Sequence, residues 1–141
     1  ITGDTLMMTY GDGIADVDIG KLLAFHKAHG KMATVTGINI SSRFGELKID
    51  GDSVKTFSEK PQDGKGFING GFFVFDRKIL DYLTTDDLCD LEIGPLEQIA
   101  AEGQLMVYKH GGFWACMDTL RDMEYLNKIW NDGRARWKIW K

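Results

Sequence analysis

The chain has 141 residues, 43% of them hydrophobic and 27% charged, with a formal net charge of −4. This length and composition suffice for a hydrophobic core, so they exclude a disordered tail and predict a single domain over residues 1–141. The acidic balance argues against a nucleic-acid surface, the absence of an apolar run of about 18 residues argues against a membrane span, and two cysteines without metal-ligand spacing suit a reducing cytoplasm.

Strand and helix patterns alternate at the start of the chain. An apolar run at 6–10 ends at a glycine-rich turn, 11–13, and predicts a buried strand. Asp18 as N-cap and Gly30 as the C-terminal glycine bound a predicted helix, and the β-branched run 32–40 predicts a second strand. A strand, a helix and a strand in this order predict a βαβ unit whose two strands form a parallel pair.

The rest of the chain continues this alternation. The predicted elements are a hairpin with strands at 43–50 and 53–59 and its turn at 51–52, a strongly apolar strand at 67–75, a short helix at 78–83, a helix at 90–103, a strand at 104–109, an apolar segment at 113–117 and a helix from 118 to 130. The pattern belongs to the α/β class, with a mixed, mostly parallel sheet flanked by helices.

Two aspartates follow predicted strands. Asp12 lies between Gly11 and Gly13 at a strand end where ligands bind in open α/β sheets, and the glycines would let a ligand approach the backbone. Asp118 follows the segment 113–117 and precedes a helix. The structural alternatives are a turn residue for Asp12 and a helix N-cap for Asp118. The functional hypothesis pairs them across one Mg²⁺, which prefers one or two carboxylates together with phosphate oxygens.

Two other segments carry candidate ligand-binding side chains. Glu59 and Lys60 stand together at a strand end, where the carboxylate could accept hydrogen bonds from sugar hydroxyls and the ammonium could neutralise a phosphate. Asn69 precedes the glycine pair Gly70 and Gly71, a pattern that indicates close approach of the backbone to another group. The alternatives are a solvated hairpin end for the first segment and a β-bulge for the second.

The order and spacing of these motifs carry a resemblance. The motifs are TYGDG at 9–13, RFGEL at 43–47, FSEKP at 57–61, INGGFFVF at 68–75 and EGQLMVYKHGGFWACMDTLRD at 102–122. Together they resemble the glucose-1-phosphate cytidylyltransferases, within the sugar-1-phosphate nucleotidyltransferase superfamily, along essentially the whole chain. The resemblance implies a partial nucleotidyltransferase (Rossmann-like) fold. It also implies a cytoplasmic homo-oligomeric enzyme that uses Mg²⁺ to convert CTP and α-D-glucose 1-phosphate into CDP-glucose and pyrophosphate.

The resemblance also implies a role for each candidate residue. Asp12 and Asp118 would hold Mg²⁺, and with Lys60, which would bind the sugar phosphate, they form the expected catalytic set. Glu59 and Asn69 would bind glucose hydroxyls. Among the other expected substrate-binding residues, Gly45 would let the sugar ring pack against the backbone, and Thr9 and Gly11 would line the strand end.

The sequence departs from the family in one respect. The glycine-rich phosphate loop of the family, with its Arg and a following Lys, occurs nowhere in the 141 residues. We therefore expect the chain to be a C-terminal part of such an enzyme that is inactive alone. The alternative is a non-catalytic sugar-phosphate-binding or interaction module. Because the first strands of the sheet would be missing, an exposed strand edge and the aromatic, basic tail 134–141 predict self-association.

Overall fold

The computed structural model describes residues 2–39, 46–50, 53–58, 67–86 and 88–140, with 46–50 and 53–58 described by their backbone. The strands are β1 (Thr5–Thr9), β2 (Gly13–Ala15), β3 (Ala33–Asn39), β4 (Glu46–Asp50), β5 (Ser53–Ser58), β6 (Phe67–Asp76), β7 (Leu105–His110) and β8 (Trp114–Cys116). The helices are α1 (Ile19–His29), α2 (Glu97–Ala101) and α3 (Leu120–Asn131), with a 3-10 helix at Arg77–Tyr82 and a π-type turn at Glu92–Leu96.

A four-stranded sheet in the order β1-β6-β3-β7 forms the centre of the molecule. β6 is antiparallel to both β1 and β3, whereas β7 is parallel to β3, so the predicted α/β class with a mixed sheet is confirmed. The predicted parallel pair between the first two strands is wrong. β1 and β3 run in the same direction, but β6 lies between them, because this long apolar strand buries consecutive side chains and takes the central position.

The two faces of the sheet are covered by different helices. Successive residues of β6 point to opposite faces. Phe73 and Phe75 pack with Ile79 of the 3-10 helix and Ile99 of α2, and Val74 packs with Leu22 of α1 on the other face. The predicted bounds of α1 are confirmed: the Asp18 side chain accepts a hydrogen bond from the Lys21 amide, and Gly30 has a φ of 62°.

The helix predicted at 90–103 is shorter than expected. Within the turn Glu92–Leu96, Ile93 is extended and Gly94 has a φ of 112°, so the chain is not helical before α2. Pro95 follows and has no amide hydrogen to donate. The predicted hairpin is confirmed in its strands, since β4 pairs antiparallel with β5, while its turn at 51–52 lies outside the described residues. In the part of the chain that the structure describes, no helix is long and apolar enough to cross a bilayer.

Candidate functional site

Those predicted site residues that the structure describes lie near one end of the strands of the central sheet. The strands β1, β3 and β7 run in the same direction and terminate at this end of the sheet, and the antiparallel β6 begins there. Thr9 is the last residue of β1, and Asn69 lies in the first part of β6. Ligands of open α/β sheets bind beyond the carboxyl ends of parallel strands. The topology therefore places these side chains where a substrate site is expected.

A short second ladder brings the two predicted metal-binding aspartates together. β2, which follows directly after Asp12, pairs antiparallel with β8, and Gly13 lies opposite Cys116. The Met117 amide donates to the Asp12 carbonyl at 2.9 Å, which extends the ladder by one pair. Asp118 is the next residue, so both aspartates stand at the same end of the ladder, on neighbouring strands. β2 was missed by the sequence patterns because its three residues, which lie between Asp12 and Asp16, are too few to show a periodicity.

Asp118 is not the N-cap of the following helix. Thr119 is the N-cap, and it forms a capping box: its hydroxyl accepts from the Asp122 amide while the Asp122 carboxylate accepts from the Thr119 amide. The structural alternative for Asp118 is thus wrong. The Asp118 carboxylate instead accepts a hydrogen bond from the Cys116 thiol, and this bond, followed by partial burial, raises the pKa of that thiol. Both Asp12 and Asp118 are exposed.

The pair of glycines in β6 forms a bulge that ties the site together. Val35 of β3 lies opposite Phe73, but Gly37 lies opposite Asn69, so β6 contains extra residues at this point. A Cβ on Gly70 would stand 2.6 Å from a side-chain carbon of Ile38, so a larger residue would overpack the bulge. Both interpretations of the glycine pair, the β-bulge and the close approach of the backbone to another group, are confirmed.

The carbonyl groups of the bulge bind two other segments of the site. The Tyr10 amide donates to the Gly71 carbonyl at 2.9 Å, and the Trp114 indole donates to the Gly70 carbonyl at 2.9 Å. Gly71 has a φ of 77°, and its Cα packs against the Tyr10 ring. The bulge therefore connects the end of β1, which leads to Asp12, with β8, which leads to Asp118.

Asn69 belongs to a hydrogen-bonded network that the sequence did not reveal. Its amide nitrogen donates to Glu92 Oε1 at 2.8 Å and lies 3.3 Å from the Tyr10 hydroxyl, and its amide oxygen accepts from the Gly71 amide at 2.9 Å. The Tyr10 hydroxyl also donates to Glu92 Oε1. Burial, followed by the hydrogen bond to Glu92, raises the pKa of Tyr10 to about 12. Tyr10 therefore keeps its phenolic proton to a higher pH than a free tyrosine does, and the network holds Asn69 in one orientation.

Glu92 is the site residue that sequence reasoning missed. It lies in a segment predicted to be the start of a helix, where an exposed carboxylate is common and does not by itself indicate a binding site. The Asp90 carboxylate accepts from the Glu92 amide at 2.8 Å and from the Ile93 amide at 3.2 Å, which fixes the turn. The one available signal was Gly94 followed by Pro95, because a glycine and a proline together mark a turn and not a helix interior.

The other predicted residues divide into two groups. Thr9 and Gly11 lie at the strand end as expected; both are exposed, and a Cβ on Gly11 would meet nothing within 4 Å. Gly45, Glu59 and Lys60 lie outside the described residues, so their roles stay predictions.

The donor set at the ladder end fits a hard cation that also binds phosphate. Within the described ranges no three His, Cys, Asp or Glu side chains form a metal-binding group. Mg²⁺ does not need such a group, since it retains waters and takes one or two carboxylates together with phosphate oxygens. Two exposed carboxylates on neighbouring strands match that requirement.

Comparison with known proteins identifies the family. The family model described as nucleotidyl transferase matches residues 2–132. The chain is 44% identical over 140 residues to a Bacillus subtilis protein named "Probable glucose-1-phosphate cytidylyltransferase" and 46% identical over 138 residues to a Salmonella typhi glucose-1-phosphate cytidylyltransferase. These alignments cover 99% and 98% of this chain but 55% and 53% of the relatives, so the chain spans about half their length.

The fold agrees with this family. The crystal structure of HddC from Yersinia pseudotuberculosis matches with a TM-score of 0.60 and 20% identity, covering 92% of this chain and 57% of that one. At this identity the likeness concerns the fold alone. Together, the sequence motifs, the partial nucleotidyltransferase fold and the family match lead to one conclusion: this chain belongs to the nucleotidyl transferase family.

Proposed function

We propose that the chain is the metal- and sugar-phosphate-binding part of a glucose-1-phosphate cytidylyltransferase, whose substrates are CTP and α-D-glucose 1-phosphate. The observation that carries this proposal is the β2–β8 ladder, which brings Asp12 and Asp118 to one end of two neighbouring strands. The names of the relatives at 44% and 46% identity support the same activity.

The reaction requires positioning more than covalent chemistry. A phosphate oxygen of glucose 1-phosphate attacks the α-phosphorus of CTP, a new P–O bond forms, and the bond to the bridging oxygen breaks to release pyrophosphate. Asp12 and Asp118 would hold Mg²⁺, and the bound ion would neutralise phosphate charge. The chain's own contribution is to fix both carboxylates and the sugar relative to one another.

The Asn69 network is the proposed sugar site within the described residues. Glu92 Oε1 already accepts from Asn69 and Tyr10, and the second carboxylate oxygen can accept from a sugar hydroxyl. Asn69 and Tyr10 therefore orient this carboxylate. By resemblance, Glu59 and Gly45 complete the sugar site and Lys60 binds the phosphate.

Ligand binding by the chain itself tests the proposal. We expect calorimetry to detect glucose 1-phosphate binding that strengthens when Mg²⁺ is added. Asp12→Asn and Asp118→Asn should each remove that strengthening, because neutral amides are poor Mg²⁺ ligands. Asp81→Asn is the control, since this exposed carboxylate lies on the 3-10 helix that follows β6, at the opposite end of the sheet. Mg²⁺-dependent binding that survives in either ladder variant contradicts the assignment.

A second candidate function is a non-catalytic interaction module. One observation favours it: β1 is an edge strand of the central sheet, and Met7 on it is 45% exposed. Such an edge can pair with another polypeptide or with a second copy, which would also give the homo-oligomer that we propose for the cytoplasmic enzyme.

The isolated chain, mixed with CTP, glucose 1-phosphate and Mg²⁺, should release no pyrophosphate because it lacks the phosphate loop. Turnover above background contradicts that expectation.

A further inference from the structure

A polar cluster closes the end of the β2–β8 ladder that is opposite to Asp12 and Asp118. At its centre is the Asp16 carboxylate, whose side chain is only 17% exposed. It accepts a hydrogen bond from the Phe113 amide at 2.6 Å, lies 3.0 Å from His110 Nε2 and lies 3.6 Å from the Arg136 guanidinium. The cluster leaves no space for a side chain at Gly112, where a Cβ would stand 2.7 Å from the His110 ring.

The ladder needs such a closure because it is short. β2 and β8 form a separate two-stranded sheet of three residue pairs. Isolated two-stranded ladders are marginal, and a slip of one residue would turn every side chain to the other face. The Asp16 amide donates to the Phe113 carbonyl at 3.1 Å, and the Asp16 carboxylate accepts from the Phe113 amide in return. Asp16 thus fixes the register by bonding both polar groups of one residue on the opposite strand.

The C-terminal segment secures the same end of the ladder. α3 begins two residues after Asp118, and the chain then returns so that the Trp137 ring packs on Phe113, with centroids 5.1 Å apart. Arg136, the preceding residue, faces the Asp16 carboxylate. β8 is therefore held at one end by the helix that follows Asp118 and at the other by the tail and Asp16.

We propose that Asp16 is a positioning residue for the metal site. Asp16 lies about 13 Å along β2 from Asp12, at about 3.3 Å per residue, so it does not bind the metal or the substrate. It sets the register of the ladder, and this register places Asp12 beside Asp118. This inference rests on the proposed function, because the register of the ladder affects metal binding only if Asp12 and Asp118 hold the same ion. Residues hydrogen-bonded directly to metal ligands commonly change metal affinity by about 10- to 100-fold when they are replaced; because Asp16 acts through the strand, we expect an effect at the lower end of that range.

The test measures Mn²⁺ binding and amide exchange on the full 141-residue chain. Mn²⁺ is titrated alone and its free form is followed by electron paramagnetic resonance. We expect Asp16→Ala to weaken Mn²⁺ binding about 10-fold and to speed hydrogen exchange of the Met117 amide. Asp16→Asn keeps an acceptor for the Phe113 amide and should stay within a few-fold of the wild type. Asp81→Ala, which removes one exposed carboxylate on the 3-10 helix that follows the far end of β6, should bind Mn²⁺ like the wild type.

Three results would overturn the inference. The first is wild-type Mn²⁺ affinity in Asp16→Ala. The second is an unchanged hydrogen-exchange rate of the Met117 amide in Asp16→Ala. Exchange alone decides on Asp16 if the wild-type chain binds no Mn²⁺, a result that would refute the metal site of the proposed function. If Asp16→Ala loosens the central sheet as well, Asp16→Glu replaces it, because the carboxylate moves by one methylene while the charge stays. Wild-type affinity in that variant also counts against the proposal.

Discussion

Two buried threonines on β3 allow the energetic effect of a buried hydroxyl to be measured with a matched pair of substitutions, one hydroxyl with hydrogen-bond partners and one without. Thr34 and Thr36 are both 0% exposed, and they are two residues apart on the same face of the strand. The Thr34 hydroxyl lies 3.0 Å from His26 Nδ1 and 2.7 Å from His29 Nε2. The Thr36 hydroxyl has no hydrogen-bond partner among the described residues. The substitution Thr→Val is close to isosteric at either site, because it replaces the hydroxyl with a methyl group.

The two variants should shift stability in opposite directions. Thr34→Val leaves two ring nitrogens without their partner, so we expect a loss of about 1–3 kcal/mol. Thr36→Val removes a buried group that has already lost its water, so we expect a gain of up to about 1 kcal/mol. Urea unfolding followed by circular dichroism measures both, and an unchanged slope with denaturant shows that the unfolded state is the same. Equal losses in the two variants would refute the reasoning.

Three other predictions concern the site and its surroundings. Because the pKa of Tyr10 is raised from 10.0 to about 12, only the folded state keeps the phenolic proton between these values. Stability should therefore fall as the pH rises from about 10 to about 12, by less than about 1.4 kcal/mol per pH unit because solvent screens this partly exposed group. Tyr10→Phe should reduce that slope in pH-dependent urea unfolding, and a remainder should persist because the hydrogen bond to Glu102 also raises the pKa of Tyr82. Gly70→Ala should cost about 1–3 kcal/mol through overpacking against the bulge, whereas Gly11→Ala, which has open space, should stay within about 0.5 kcal/mol; similar melting shifts would contradict the close approach at the bulge. Light scattering should show self-association at micromolar concentration, and Met7→Lys on the edge strand should reduce it; a monomer mass in the wild type would be contrary to this expectation.

The sequence determined the local structure of this protein well. The cap at Asp18, the glycine at position 30 and the apolar run of β6 each act on neighbouring residues, so their effects can be predicted from the pattern alone. The positions of Asp12 and Asp118 after predicted strands could also be identified from the pattern, although a turn residue and a helix N-cap were the alternatives. The pairing of Asp12 and Asp118 across one metal ion was a hypothesis from their positions after two strands, which the resemblance also implies, and it stays a prediction.

The tertiary structure decided what depends on distant parts of the chain. β6 lies between β1 and β3 because the position of a strand depends on the burial of the whole sheet, which no local window contains. Thr119 and not Asp118 caps α3, since only the geometry shows which of two adjacent side chains reaches the Asp122 amide. Glu92 joins Asn69 and Tyr10 across 23 and 82 residues of sequence, respectively. Hydrogen bonds between such distant residues produce no periodicity in the sequence, so patterns of neighbouring residues cannot predict them.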